Sequence, residues 1–444
     1  MQKKVLISED ITGTGIQIPY GKGKLSIPLP EGWEFHVFRP EPISPAQDPV
    51  REVLQSLEHP LGNRRLQDFS GVKSVAIAIS DETRPVPNHL ILPTFLEKLE
   101  EAGIPHSSTQ IIIASGLHNP TPESRFPNLL SKEIIHDYQI VAHDANSPHL
   151  KFLGKTSREN PVFVNPLFFK ADLRVAIGMI DPHQFVGYTG GVKCAAIGLA
   201  GAQTIEANHS MLFQPRAVIG EIKNNPVRQD IEEIGNLMDV HFVTNVVLDE
   251  TNQIIKAFSG DPILVESVGS EFCRKVYEIT TSEDYDIVIA SPGGYPKDIN
   301  VYQAQKALAH ATPLVRQGGK IILVAECPDG HGDDTFYQTM KQYRTPQEVV
   351  ENFQREKFQM GVHKAYLWTR SMIKAKVYLF SSLNGELSRD LMTVPINHVE
   401  ELFLNNQTPY SQKPKIAVMP KANSTYARVV KTYLESKQLD NLYG

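Results

Sequence analysis

Apolar runs of strand length recur along this chain, and each ends abruptly in a polar loop rich in glycine, proline or charge. Residues 71–79, 110–114, 138–142, 174–180 and 241–248 read as strands. Helical spacing of apolar residues lies between them, most clearly over 88–102. Alternation of this kind restricts a chain to parallel sheets with helices on their faces. In such sheets ligands gather at the carboxyl ends of the strands. The residues directly after the runs therefore matter most: Asp81 and Arg84, His118, and His183. A second series starts with a strand at 285–290 and a loop at 291–298. It continues through a helix over 299–315 and strands at 319–325, 376–380 and 415–419.

With 444 residues the chain is too long for one ordinary core. The expected architecture is α/β with two domains, each a mostly parallel sheet flanked by helices, and an active site in the cleft between them. The boundary is placed near residues 270–280, at the end of the helix predicted over 264–277. That gives an N-terminal cofactor and catalytic domain over 1–275 and a C-terminal α/β domain over 276–444. The last strand and helix are allowed to pack back on the first domain. Residues up to 38 read as short strands, with a turn at 28–32. Residues 48–68 read as partly helical, and 249–252 as a hairpin turn.

Composition removes several classes. A hydrophobic fraction of 41% with 21% charged residues belongs to a globular protein, and a net charge of −6 gives no basic face for nucleic acid. No apolar stretch approaches a membrane span, and the N-terminus lacks the apolar core of a signal peptide. Cys194, Cys273 and Cys327 are odd in number and widely spaced. They predict reduced thiols in core positions and a cytoplasmic protein.

The densest constellation is DPHQFVGYTGGVKCAAIGLAGAQTIEANH, residues 181–209. It follows the 174–180 strand, so His183 sits where a strand gives way to a loop. Gly187, Gly190 and Gly191 allow tight turns or close approach to a ligand. Lys193 follows, and part of the rest reads as helix. Strand, glycine turn, lysine and helix are the parts of an anion or nucleotide site, although the spacing is not that of a P-loop.

Each residue type has a functional and a structural use. Arg84 carries a planar fork suited to a carboxylate, with Asp81 placed to orient it or hold a ribose; a solvated turn is the structural use. His118 and His183 suit acid/base work near neutrality, against an ordinary packing role. Lys193 suits a phosphate ligand, a Schiff base or another covalent anchor, against an exposed helix-start lysine. His209 suits a metal ligand or a helix-end packing residue. Tyr302, Gln303 and Lys306 stand at the start of a helix and could present donors to an anion, or simply face water.

Taken together, DETRP, SGLHNP, DPHQFVGYTGGVK, the EANH ending and GGYPKDINVYQAQK resemble the nickel-pincer-nucleotide-dependent lactate racemase family over nearly the whole chain. The resemblance implies a racemase or C2 epimerase of a 2-hydroxy acid, working by hydride transfer through a 2-keto acid. It implies nickel held by a pyridinium-3,5-bisthiocarboxylic acid mononucleotide tethered to Lys193, with His209 as the protein's nickel ligand. The Asp81 side chain, Gly190 and Gly191 would support that cofactor. His118 and His183 would be the acid/base pair. Arg84, Tyr302, Gln303 and Lys306 would bind the substrate, a small 2-hydroxy acid or sugar acid. Cofactor-biosynthesis proteins would be the partners. Asn119, Val192 and Ile197 stand where the family's lactate enzymes carry arginine, arginine and proline, so the resemblance does not carry the substrate with it. The other readings of the same residues are a pyridoxal-phosphate isomerase with a Schiff base on Lys193, and a non-catalytic nucleotide or metallocofactor carrier.

Overall fold

The computed structural model describes residues 11–12, 15–28, 33–40, 42–355, 358, 361–399 and 414–430. The chain divides into a continuous unit, residues 42–276, and a split unit formed by 1–41 with 277–444. Both are α/β, each with a mostly parallel six-stranded sheet.

In the continuous unit the sheet runs Ile254–Gly260, Phe242–Leu248, Leu173–Met179, Val75–Ser80, Thr109–Ala114, Gln139–Ala142. Only the Phe242–Leu248 and Ile254–Gly260 strands pair antiparallel, across the hairpin predicted at 249–252. The central strands are buried on both faces, which explains why their sequences are continuous apolar runs and not alternating ones. Their side chains join the Asn88–Glu101 helix in one core that includes Ile77, Ile91, Phe95, Ile111 and Val175. The chain begins at Val75–Ser80, winds outward through Thr109–Ala114 and Gln139–Ala142, then returns to the other side at Leu173–Met179. The winding direction therefore reverses between Val75–Ser80 and Leu173–Met179. Crevices at such reversals are where open α/β sheets hold ligands.

The split unit has the order Val394–Ile396, Ala375–Phe380, Val315–Val324, Tyr285–Ala290, Lys415–Met419, Glu34–Val37, all parallel. Here the expected domain limits need correction. Residues up to 41 belong with the second sheet and not with residues 42–276. Glu34–Val37 hydrogen-bonds along Lys415–Met419, and Ile16, Ile18 and Ile27 pack with Ile287, Ile289, Ile416 and Val418. The last long strand likewise lies inside this sheet. The expected final helix, and most of the turn at 28–32, lie outside the described residues.

The helix over the 193–209 segment is two helices, Lys193–Ala196 and Ala202–Ser210, parted by a short non-helical connection. The predicted 264–277 helix is Pro262–Tyr277, and the one at 299–315 is Val301–Ala311 followed by a tight turn, Thr312–Leu314. No helix of the described residues is long and apolar enough to cross a membrane.

Candidate active site

Three loops at the carboxyl edge of the continuous sheet carry the predicted residues. After Val75–Ser80 the chain folds around the buried carboxylate of Asp81. One oxygen accepts from Thr83 through Oγ1 at 2.6 Å and through the backbone at 3.2 Å. The other lies 2.7 Å from His118 Nδ1, which arrives on the loop after Thr109–Ala114. Burial alone would raise the Asp81 carboxyl, but the bonds from His118 and Thr83 outweigh it and hold the group below its ordinary value. Asp81 was expected to serve the cofactor. In the structure its oxygens are bonded to Thr83 and His118. Arg84 is exposed on the same loop.

The third loop follows Leu173–Met179 and is pinned at its neck. Thr189 Oγ1 donates to the Met179 carbonyl at 2.8 Å and accepts from Asp181 N–H at 2.9 Å. Beyond it, Pro182–His183 pairs antiparallel with Gly187–Tyr188. His183 thus stands on a two-rung hairpin. Its ring meets Phe185 edge-on at 4.7 Å, and Phe185 meets His209 the same way at 5.2 Å.

The turn before Lys193 rests on a buried ionic platform that spacing did not reveal. Arg228, 1% exposed, donates through Nη1 to the carbonyls of Tyr188 and Gly190. Its Nε binds Glu232 Oε1 at 2.7 Å, and Nη2 lies 3.3 Å from Glu266 Oε2. Asn245 Oδ1 accepts from Gly191 N–H at 2.7 Å. The backbone comes so close that side chains are excluded. A Cβ on Gly190 would stand 2.9 Å from Glu266 Oε2, and one on Gly191 2.7 Å from Arg228 Nη2. Both glycines also have positive φ, which side-chain-bearing residues resist.

One guanidinium between two carboxylates leaves a surplus negative charge in a dry setting. Glu266, the more buried and less well bonded, is the group that gives way. Burial pushes its carboxyl up to about 8 despite Arg228. Lys193 begins its short helix just above. Removal from water, then the charges of Arg84 and Arg228, push its amine down to about 7. Neutral amine is the nucleophilic form.

His209 ends the Ala202–Ser210 helix. Burial, then the charges of Lys193 and Arg84, push its imidazole down to about 3, so it is neutral. Its Nδ1 lies 3.0 Å from Asn208 Oδ1. The Asn208 amide is fixed the right way round, because its nitrogen donates to Val227 O and Asp230 Oδ2. Nδ1 of His209 therefore carries the proton, and Nε2 carries the lone pair.

Cys194 lies 3.7 Å from Ser80 Oγ and is partly exposed, not a core residue as expected; Cys273 and Cys327 are buried. Tyr302, Gln303 and Lys306 belong to the split unit. They share a partly exposed face of the Val301–Ala311 helix, with Lys306 Nζ donating to Gln303 Oε1 at 3.2 Å. Tyr302 also lies under the ammonium of Lys364, 4.6 Å from its ring centre.

Comparison with known proteins now decides the family. Residues 20–220 match the lactate racemase N-terminal domain, and residues 280–426 the lactate racemase C-terminal domain. The chain is 33% identical over 423 residues to a lactate racemase of Thermoanaerobacterium thermosaccharolyticum, covering 93% of this chain and 99% of that one. The chain belongs to the lactate racemase family. A lactate racemase of Lactiplantibacillus plantarum is 31% identical over 83% of this chain and 88% of its own length. Among solved structures, the lactate racemase apoprotein of Thermoanaerobacterium thermosaccharolyticum superposes with a TM-score of 0.84, covering 93% of this chain and all of that one. A Thermotoga maritima protein, 18% identical with a TM-score of 0.62 over 88% of this chain and all of its own, shares the fold. The protein is therefore an enzyme, an isomerase of the racemase class.

Proposed function

We propose that this racemase inverts the C2 centre of a small 2-hydroxy acid, lactate or a longer sugar acid. Its cofactor would be a nickel-pincer nucleotide, pyridinium-3,5-bisthiocarboxylic acid mononucleotide, tethered to Lys193. The observation that carries the reading is the meeting of Lys193, His209 and Arg84 in one place, where the charge of Arg84 acts on both other groups and that of Lys193 on His209.

The residues present fit such a group. The Lys193 amine, pushed down to about 7, readily yields the unprotonated form that covalent attachment needs. His209 is neutral with Nε2 as its lone-pair nitrogen, the state in which imidazole binds a soft or borderline metal. The Gly190–Gly191 turn is stripped of side chains beside the tether. Asn208 supplies the outer contact that metal-binding histidines usually have. When bound, the cofactor supplies an acceptor for the Cα hydrogen and its electron pair, which avoids a carbanion beside a carboxylate.

The chain's own residues supply the rest. The Arg84 fork would hold the carboxylate while the 2-keto acid turns its other face. The His118 and His183 side chains would move the hydroxyl proton, a contribution typically worth ~10²–10⁴-fold each. Asp81 would fix the His118 ring and stabilise it when protonated, as the carboxylate does in serine-protease triads. Tyr302, Gln303 and Lys306 would take the remainder of the substrate. Proteins that assemble the nucleotide are the partners this reading requires.

Intact mass of active enzyme tests the reading directly, with an adduct mapping to Lys193 as the expected result. Active, adduct-free, nickel-free protein would rule it out. Substrate deuterated at Cα should keep its label in the inverted product made in H₂O. Washout would indicate proton abstraction instead.

A further inference from the structure

We infer that the two histidines are unequal by construction: His118 is held permanently as a proton acceptor, whereas His183 can act only when its own turn releases the ring. The inference rests on the reaction proposed above, in which both rings face the substrate. It starts from what each ring's partner is able to do.

A carboxylate only accepts. The 2.7 Å contact from Asp81 Oδ2 to His118 Nδ1 therefore requires the proton on Nδ1. Asp81 is kept ionised by that bond and by Thr83, so it does not become a donor. In the neutral ring the lone pair then lies on Nε2. His183 is the reverse. A backbone N–H only donates, and that of Val186 donates to His183 Nδ1 at 3.3 Å. The lone pair is on Nδ1 and the proton on Nε2. The arrangement is not a loose one, because the Pro182–His183 and Gly187–Tyr188 rungs and the Thr189 bonds close the hairpin around it.

The consequence concerns the hydroxyl proton, which passes from oxygen to a ring nitrogen as the Cα–H bond opens. His118 Nε2 takes it with no rearrangement, and Asp81 stabilises the resulting imidazolium. His183 starts with the proton already on Nε2, because its Nδ1 accepts from Val186 N–H. As a base it must first move its proton to Nδ1, and as an acid it must carry protons on both nitrogens. Either state sets the ring N–H against the N–H of Val186, so the contact must open. The antipode whose hydroxyl faces His118 meets a prepared enzyme. Its mirror image waits for the turn. Asp81 is thus a positioning residue, and the Val186 N–H acts as a latch. In a racemase the equilibrium constant is unity, so kcat/KM is equal in the two directions. The inequality then appears as kcat and KM that differ between antipodes by a common factor.

Long-range ¹H–¹⁵N NMR of the full-length apoprotein labelled at histidine reads both rings without cofactor or turnover. The variants His118→Gln and His183→Gln assign the signals. Opposite tautomers are expected, with Asp81→Asn converting the His118 ring to the Nε2–H form. The same tautomer in both rings overturns the proposal and leaves the proposed reaction standing. In loaded enzyme, acid quench should show 2-keto acid forming from one antipode faster by about fivefold or more, the rate equivalent of one backbone hydrogen bond. His183→Gln should keep the fast phase and lose the slow one. Equal rates from both antipodes overturn the asymmetry. Keto acid from neither, with opposite tautomers observed, overturns the reaction and this use of it together.

Discussion

The two units are built on the same kind of sheet, yet their loops treat charge differently. In the split unit the loops after Tyr285–Ala290 and Val315–Val324 close on each other. Asp298 Oδ2 accepts from the N–H groups of Gly21 and Glu326, Cys327 N–H returns to the Asp298 carbonyl, and Val301 N–H to that of Gly330. Asn300 caps the following helix through Gln303 N–H. Backbone answers backbone, and what remains for a ligand is a row of side chains on one helix. In the continuous unit the corresponding loops end in surplus charge. Arg84 and Arg228 both press on the Lys193 amine, and one arginine stands between two carboxylates. A carboxyl-terminal sheet edge is therefore not itself a site. Perturbed charges gathered at one edge are what mark it as the candidate site.

The largest effect that would sharpen this contrast is on turnover. Asp81→Asn should lower kcat by ~10²–10⁴-fold while leaving the denaturant midpoint nearly unchanged, because Asn offers His118 a donor in place of an acceptor. Steady-state rates beside urea melts check it. A loss of stability equal to the loss of rate would make Asp81 a structural residue and weaken the comparison.

Next comes Arg228→Met, expected to destabilise by ~3–5 kcal/mol, since it takes the cation from the ionised Glu232 and frees the carbonyls of Tyr188 and Gly190. Adding Glu232→Gln should recover part of the loss. A double variant no better than the single would mean that the carbonyl bonds, and not the charge, dominate.

Some of this was legible in the sequence and some was not. The strands were readable because both faces are buried and the runs are uniformly apolar. Their ends pointed to Asp81, Arg84, His118 and His183. Arg228 and Glu232 were invisible, because a pair four residues apart on a helix has the spacing of an ordinary surface ion pair. What sets it apart is the close approach of the Gly190 and Gly191 backbone to Arg228. Glu34–Val37 was misassigned for a related reason. Four residues with two polar side chains carry no local sign that their partner is Lys415–Met419. Patterns within a segment report its burial; they do not report which distant segment covers it.

A matching change in the split unit should be milder and confined to stability. Asp298→Ala removes the acceptor for Gly21 and Glu326 N–H, at a cost of ~1–3 kcal/mol in chemical denaturation. Adduct formation at Lys193 should persist by intact mass. Loss of the adduct would mean that the two loop systems are not separate in function.

The smallest effect is the pH dependence contributed by Glu266. Its folded pKa, about 8, lies above the unfolded value of 4.5, so between these the native state binds the extra proton. Stability from this group is present below pH 4.5 and is lost as pH rises through about 8. Relative to Glu266→Gln, the wild type should therefore lose stability across that window, with a slope of at most ~1.4 kcal/mol per pH unit. Urea melts of both proteins at several pH values isolate the difference, since all other titrations are shared. A wild type that gains on the variant as pH rises would show Glu266 ionised beside Arg228. The platform would then hold two ionised carboxylates on one guanidinium, and its surplus charge would stand unrelieved instead of being taken up by a proton.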